Sequence, residues 1–242
     1  MKIEKIKKLF NILKRPFFLR ALSKGTAAGT EHISVLKHLS CNYVVDIGAN
    51  RGQFALVARY LFPGSCIHSF EPLTEPANVF EKVFSVDDNV HLHRCAVGPV
   101  KISMTIHVSE RDDSSSLLPI GENQSKLFPH TGESETRTTD VFPLSDMIDA
   151  NEITNDALLK IDVQGFELEV LKGCSTLIDS FKYVYVECSF VELYEGQAFA
   201  SEVIAFLHKK NFVLSGVSNM CYDHLGKAIQ ADFLFKNISL YK

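Results

Sequence analysis

The chain predicts a doubly wound α/β fold, a parallel sheet of seven strands covered by helices on both faces, and three observations predict it. Short apolar, β-branched runs alternate with segments of helical period along most of the 242 residues. The run Tyr43-Val44-Val45-Asp46-Ile47 leads straight into Gly48-Ala49-Asn50-Arg51-Gly52, a glycine-bracketed turn that opens a helix. A second run, Cys66-Ile67-His68-Ser69-Phe70, ends in an acid, Glu71, 25 residues after Asp46, which is the spacing of one βαβ unit.

The elements follow in order. Residues 1–24 carry eight Lys and Arg against one acid, Glu4, and apolar residues from Ile3 to Phe18 recur at helical spacing. This segment reads as a basic amphipathic extension, with Pro16 kinking or ending its first helix. Residues 25–242 read as one domain. Strands are expected at 43–47, 66–70, 90–95, 158–162, 183–188, 212–217 and 230–236, with an additional one at 100–108. Helices are expected near 27–39, 52–61, 74–84, 144–149, 166–178 and 199–209. Residues 109–139 break the pattern, being polar and interrupted by Pro119, Gly121, Pro129 and Gly132. Their place between strands three and four reads as a lid over the carboxyl ends of the strands, where open α/β sheets bind ligands.

Composition excludes several classes. A hydrophobic content of 46% with 18 Phe is that of a globular chain, and no apolar run approaches the ~20 residues that span a bilayer. The first residues lack the apolar stretch and small-residue cleavage site of a secretory signal. Six Cys are scattered with no C-x-x-C pair, which reads as reduced thiols in a cytoplasmic protein and argues against structural zinc. Outside the tail the chain is acidic and shows no basic stripe with interleaved aromatics, so nucleic acid is not an expected partner. The tail itself suits either a peripheral contact with anionic lipid at the inner face of the membrane or packing on the core or on a second subunit, as in a homodimer.

The first turn also selects a cofactor. A dinucleotide site needs G-x-G-x-x-G so that a pyrophosphate can rest on the helix N-terminus. Here the pattern is D-x-G-x-x-x-G, and Asp46 would repel an anion. A ligand carrying an ammonium and a sulfonium suits that acid, which points to S-adenosylmethionine rather than a nicotinamide dinucleotide. Glu71 at the end of the second strand is placed to accept the ribose hydroxyls.

A third segment, Lys160-Ile161-Asp162-Val163-Gln164-Gly165-Phe166-Glu167-Leu168-Glu169-Val170-Leu171-Lys172-Gly173, reads as strand, polar turn and short helix. It resembles the signature K-I-D-[VI]-[EQ]-G-x-E-x-x-x-L-x-G of the FkbM-type S-adenosylmethionine-dependent methyltransferases. Every fixed position of that pattern is filled. The likeness extends from about Leu36 to the C-terminus, through Phe70-Glu71-Pro72, Ala96-Val97-Gly98 and a closing Gln230-Ala231-Asp232-Phe233-Leu234-Phe235. It implies the Rossmann-like class I methyltransferase fold, in which the last strand runs antiparallel and the sheet is mostly parallel. It also implies methyl transfer to a hydroxyl of a sugar, glycan or polyketide-like small molecule, and it brings the Ser114–Ser116 turn beside the cofactor.

The candidate cofactor residues are therefore Asp46, Gly48, Asn50, Gly52 and Phe54 from the first turn, Glu71 and Pro72 from the second strand end, Ser115 from the insertion, and Asp162. Methyl transfer from a sulfonium is an in-line displacement, and an alcohol acceptor must also lose its proton to a base. Asp162, at the carboxyl end of strand four, is the first candidate for that base. Glu167 and Glu187 follow, with Glu167 equally suited to capping its own turn. Lys160 shares the side-chain parity of Asp162, so the two can pair. No compact metal-ligand motif appears, and the reaction is expected to be metal-independent. A different class remains open: a non-catalytic cofactor-binding or scaffolding protein that kept the fold, which would need a damaged pocket.

Overall fold

The computed structural model of the protein describes residues 9–154 and 156–241. Three strands come first, β1 (Tyr43–Ile47), β2 (Cys66–Phe70) and β3 (Val90–His93), followed by β4 (Ala96–Val97), β5 (Ile102–Ser109) and β6 (Glu133–Phe142). The chain closes with β7 (Ala157–Ile161), β8 (Tyr183–Ser189), β9 (Phe212–Tyr222) and β10 (Ala228–Asn237). Seven of these form the central sheet in the order β3-β2-β1-β7-β8-β10-β9. Pairings from β3 to β8 are parallel, and β10 runs antiparallel to both its neighbours. The order reverses beside β1 and β7, and the crevice above that reversal is where a ligand is received.

Side-chain alternation divides the core between the two faces of the sheet. Tyr43, Val45 and Ile47 of β1, with Leu159 and Ile161 of β7, join one core with α6 (Glu167–Gly173) and α7 (Ala200–Lys209). Val44 and Leu158 face the other way, toward α1 (Pro16–Ser23), α3 (Gln53–Leu61) and α4 (Thr74–Phe84). On that second face, register sets Asp46 directly beside Lys160, and Glu187 opposite Asp232. A polar row thus crosses an otherwise apolar sheet near its carboxyl edge.

Two further short helices are α2 (Ile33–Leu36) and α5 (Glu122–Leu127). The helix expected near 27–39 shortens to a 3-10 turn at Thr30–His32 followed by α2, and the one near 144–149 is a 3-10 turn at Leu144–Asp146. The expected helix 166–178 stops at Gly173, whose close approach to the Gly98 backbone leaves no room for a Cβ.

The reading of 109–139 as one broken insertion needs correction. Residues 133–142 are β6, which pairs with β5 and β4 in a second, three-stranded sheet. Most of β6 is exposed on both faces, so it lacks the apolar alternation by which a strand is recognised. Strand β5 in turn belongs to this small sheet and not to the central one. Its Ile106 and Val108 pack with Leu73 as a separate apolar cluster, against which Leu117 rests.

In the tail, residues 1–8 lie outside the described residues. Pro16 occupies the first turn of α1, where its missing N–H costs nothing. Ile12, Phe18 and Ala21 are buried with α3, whereas Leu9, Phe10, Leu13, Phe17 and Leu22 are exposed.

Candidate active site

Two adjoining chambers open above the carboxyl ends of β1 and β7. The first is a slot with Ile47, Phe70, Val97, Ile106 and Leu117 among its walls and Glu71 at its edge. The second is polar and includes His32, Gln53, Arg111, Gln124 and Gln230. Gly48, Asn50, Asp113, Asp162 and Gln164 line both, so the chambers meet at Asp162.

The turn after β1 is built by backbone constraint. Gly48 has φ +79°, and a Cβ there would lie 1.8 Å from the Asp162 carbonyl oxygen, because the ends of β1 and β7 pass in contact. Asn50 also has positive φ. Its N–H donates to Glu71 Oε2 at 2.9 Å, and the Leu73 N–H donates to Glu71 Oε1 at 2.7 Å. These two bonds fix the Glu71 carboxylate at the rim of the slot. Burial nonetheless pushes Glu71 up to about 7, since the two N–H groups offset only part of the lost hydration.

Asp46 and Gly52 line neither chamber. Asp46 is fully buried, and its Oδ1 lies 2.9 Å from Lys160 Nζ, which also donates to the Gly48 carbonyl oxygen at 2.9 Å. Its charge is therefore met by a lysine beneath the pocket floor. Gly52, with φ +89°, sits against the rings of Phe80 and Phe84, where a Cβ would approach Phe84 to 2.7 Å. Phe54, Pro72 and Ser115 do line the chambers, Phe54 in the polar one and the other two in the slot.

Lys160 also lies 3.9 Å from Asp162 Oδ2, so the pairing expected from strand parity is present. Burial alone would lower the lysine, but the carboxylates of Asp46 and Asp162 outweigh it and hold its pKa above the ordinary value. Asp162 is about one-third exposed, at 36% of its side chain. Its pKa is raised by burial, against the pull of Lys160.

Gln164 organises the acids around Asp162. Its φ is +56° and that of Gly165 +100°, a tight turn that aims the amide back over β7. Its Nε2 donates to Asp162 Oδ1 at 2.8 Å and to Glu187 Oε2 at 3.2 Å, while its Oε1 accepts from the Tyr194 hydroxyl at 2.8 Å. Gln230 donates to the other Glu187 oxygen at 2.7 Å. Glu187 thus stands one residue back from the chambers, its pKa well above the usual range through burial and the nearby Asp162.

Glu167 also lines neither chamber. Its Oε1 accepts from the N–H groups of Val163 at 3.2 Å and Gly165 at 3.0 Å, so it closes the 163–167 turn, and burial raises it to about 7. The capping role is the one its contacts describe.

Residues 111–117 cover the junction. Asp112 accepts from Asn50 Nδ2 at 3.3 Å and pairs with Arg51, while the Ser116 hydroxyl donates to the Gln164 carbonyl oxygen at 2.7 Å. Tyr194 reaches the same region through the Ser114 carbonyl oxygen at 2.9 Å. Neither Tyr194 nor His32 is marked by any motif; each enters through a loop contact between distant segments. His32 Nδ1 lies 3.4 Å from Asp232, and with Asn219 and Tyr185 it holds that carboxylate below its ordinary pKa despite burial.

A seven-stranded sheet, parallel except for β10 and reversed in order beside β1 and β7, has the class I methyltransferase fold. The family model described as the methyltransferase FkbM domain matches residues 46–214, and the chain belongs to that family. Among its relatives is the 31-O-demethyl-FK506 methyltransferase FkbM of Streptomyces tacrolimicus, 28% identical over 71% of this chain and 72% of that one. The 2-O-methyltransferase NoeI of Sinorhizobium fredii is 22% identical over 92% and 91%. Among solved structures, a Clostridium thermocellum protein assigned as an rRNA methylase superposes with a TM-score of 0.50 at 11% identity, covering 85% of this chain and 92% of that one, and shares the fold.

Proposed function

We propose that the protein is an S-adenosylmethionine-dependent O-methyltransferase acting on a hydroxyl of a sugar or glycan, or of a polyketide-like small molecule. The observation that carries this reading is the meeting of an apolar slot and a polar chamber at one half-buried carboxylate, Asp162. The slot fits the cofactor in kind: apolar walls for an adenine and a buried carboxylate, Glu71, for ribose hydroxyls. Glu71, Pro72, Gly48, Asn50 and Ser115 would hold it. When bound, the cofactor supplies an electrophilic methyl group.

The chain's own residues supply the rest. Asp162 takes the proton of the acceptor hydroxyl at the chamber junction, and its raised pKa brings it nearer the working pH of a general base. Gln164 orients Asp162, and Glu187 in turn steadies Gln164. Asp46 acts through Lys160 on the pocket floor and does not touch the ligand. The polar chamber, with Gln53, Arg111, Gln124 and Gln230, suits a polyhydroxylated acceptor better than an apolar one. That two relatives are named for O-methylation supports oxygen as the receiving atom. Residues 109–132 act as the lid, excluding water once both ligands are seated.

The tail packs on the core through Ile12, Phe18 and Ala21, and its exposed Phe10, Leu13 and Phe17, beside basic residues, support a peripheral contact with anionic lipid as a second role for the same segment. Among the described residues no helix is long and apolar enough to cross a membrane. Equal liposome pelleting by the full chain and by a chain lacking residues 1–24 would remove the lipid contact.

Calorimetric titration with S-adenosylmethionine and, separately, NAD tests the cofactor, using wild type and Glu71→Ala. Saturable binding of the first that the substitution weakens by tenfold or more is expected. Preferential NAD binding would overturn the reaction class, and binding of neither would favour the non-catalytic scaffold.

A further inference from the structure

Away from both chambers, the β2–β3 edge of the sheet gathers a second set of reactive side chains. The strands pair in parallel with His68 opposite His91 and Phe70 opposite His93. Because side chains alternate along a strand, Cys66 and His68 of β2 and His91 and His93 of β3 all project from one face. The sulfur of Cys66 and ring nitrogens of His68 and His91 lie within 4.8 Å of one another. Tetrahedral zinc, with bonds of ~2.0–2.3 Å, needs such atoms about 3.5 Å apart, so the ion would draw the three side chains together, and His91 is exposed and has room to move.

The surroundings match what a ligating histidine requires. His68 Nδ1 lies 3.0 Å from His93 Nε2. With the proton on Nδ1 and donated to His93, the lone pair of His68 sits on Nε2, and a partner on the second ring nitrogen is how metal-bound imidazoles are oriented. Glu152 Oε2 stands 3.9 Å from that Nε2, on the solvent side. Stacking of His68 on Tyr43 and of His93 on Phe70 would be served by any aromatic ring. The convergence of one thiol and two imidazoles is what packing does not ask for.

We propose that Cys66, His68 and His91 bind one first-row transition ion of the zinc class, with Glu152 closing the fourth position and His93 orienting His68. Nitrogen and sulfur donors select such an ion over magnesium or calcium. The ion would clip the edge strand β3 onto β2. It would also stiffen the cofactor end of β2, because the His93 carbonyl oxygen accepts from the Glu71 N–H at 3.0 Å and the His93 ring stacks 4.5 Å from Phe70, a wall of the slot. The scattered Cys spacing conceals the site, since its ligands come from the pairs Cys66-x-His68 and His91-x-His93 on neighbouring strands.

Titration of the full-length, reduced protein with Co²⁺, followed by absorption, tests the proposal without reference to methyl transfer. Expected are tetrahedral visible bands and a thiolate-to-cobalt band in the near ultraviolet, saturating at one ion per chain and displaced by Zn²⁺. Cys66→Ser should abolish the near-ultraviolet band, and His91→Ala, which removes a ligand, should weaken binding by at least the roughly ten- to hundredfold that loss of an outer-shell partner costs. His91 is exposed, so its variant keeps the fold and decides the matter if Cys66→Ser does not. Absence of the visible bands, or an unchanged spectrum and affinity in His91→Ala, would overturn the site.

Discussion

Glu71 does its proposed work only when charged, and burial places its pKa near 7. Ribose hydroxyls donate to the carboxylate, so cofactor affinity should rise with pH through 7 and fall roughly tenfold per unit below it. Titration calorimetry across that range checks this, and Glu71→Gln should bind weakly with a flat profile. For stability the sign is different. The folded pKa of Glu71, like that of Glu167, stands above the unfolded value near 4.5, so the folded chain holds protons that the unfolded chain has released. These two groups therefore favour folding most at acid pH and lose that contribution between about 4.5 and 7. At Asp162, replacement by Asn should lower kcat by about 10²–10⁴ with the fold intact, the range for loss of a general base. Glu167→Ala should instead cost about 1–3 kcal/mol in chemical denaturation, because the buried Gly165 N–H and the part-buried Val163 N–H lose their acceptor. A purely catalytic Glu167 would show the reverse pattern. The sequence marks all these acids, but not which face the crevice.

Among the elements, the joint between β1 and β7 governs the pocket floor. Lys160→Met would leave Asp46 charged, fully buried and unpaired, a change that typically costs about 3–5 kcal/mol. Adding Asp46→Leu should recover much of that loss, and paired denaturation curves measure the recovery. Gly48→Ala brings a Cβ onto the Asp162 carbonyl as well as straining a positive φ, whereas Gly196→Ala at φ +73° meets nothing within 4 Å. Gly48→Ala should therefore destabilise the protein by well over the ~1 kcal/mol expected for the φ strain alone at Gly196, and only the former should reduce cofactor binding. Strand parity predicts the nearness of Lys160 to Asp162. It does not predict the closer contact with Asp46, because the register that pairs two residues so far apart in the chain is set by the packed sheet.

For the whole molecule, S-adenosylmethionine at 100 times its Kd should raise unfolding stability by about 2.7 kcal/mol if it binds only the folded chain. It should also slow proteolysis within 109–132, while leaving the 9–24 segment as accessible as before; limited digestion with and without ligand reads both. By itself the sequence determined the strands of the central sheet, the family and the pool of acids, because those rest on local periodicity, glycine-dependent turns and a contiguous signature, and the antiparallel last strand followed only from the family resemblance. The sequence left hidden β6, and with it the small sheet to which the expected strand at 100–108 belongs, because the exposed residues of β6 carry no apolar rhythm. The tertiary structure alone decided which carboxylates open into the crevice and which are spent on Lys160 or on backbone N–H groups. It also brought Tyr194, His32 and the β2–β3 histidines to their partners. The reason is physical: periodicity is a property of neighbours in the chain, whereas charge pairing and ligand convergence depend on side chains that meet only after long-range register has been fixed by burial.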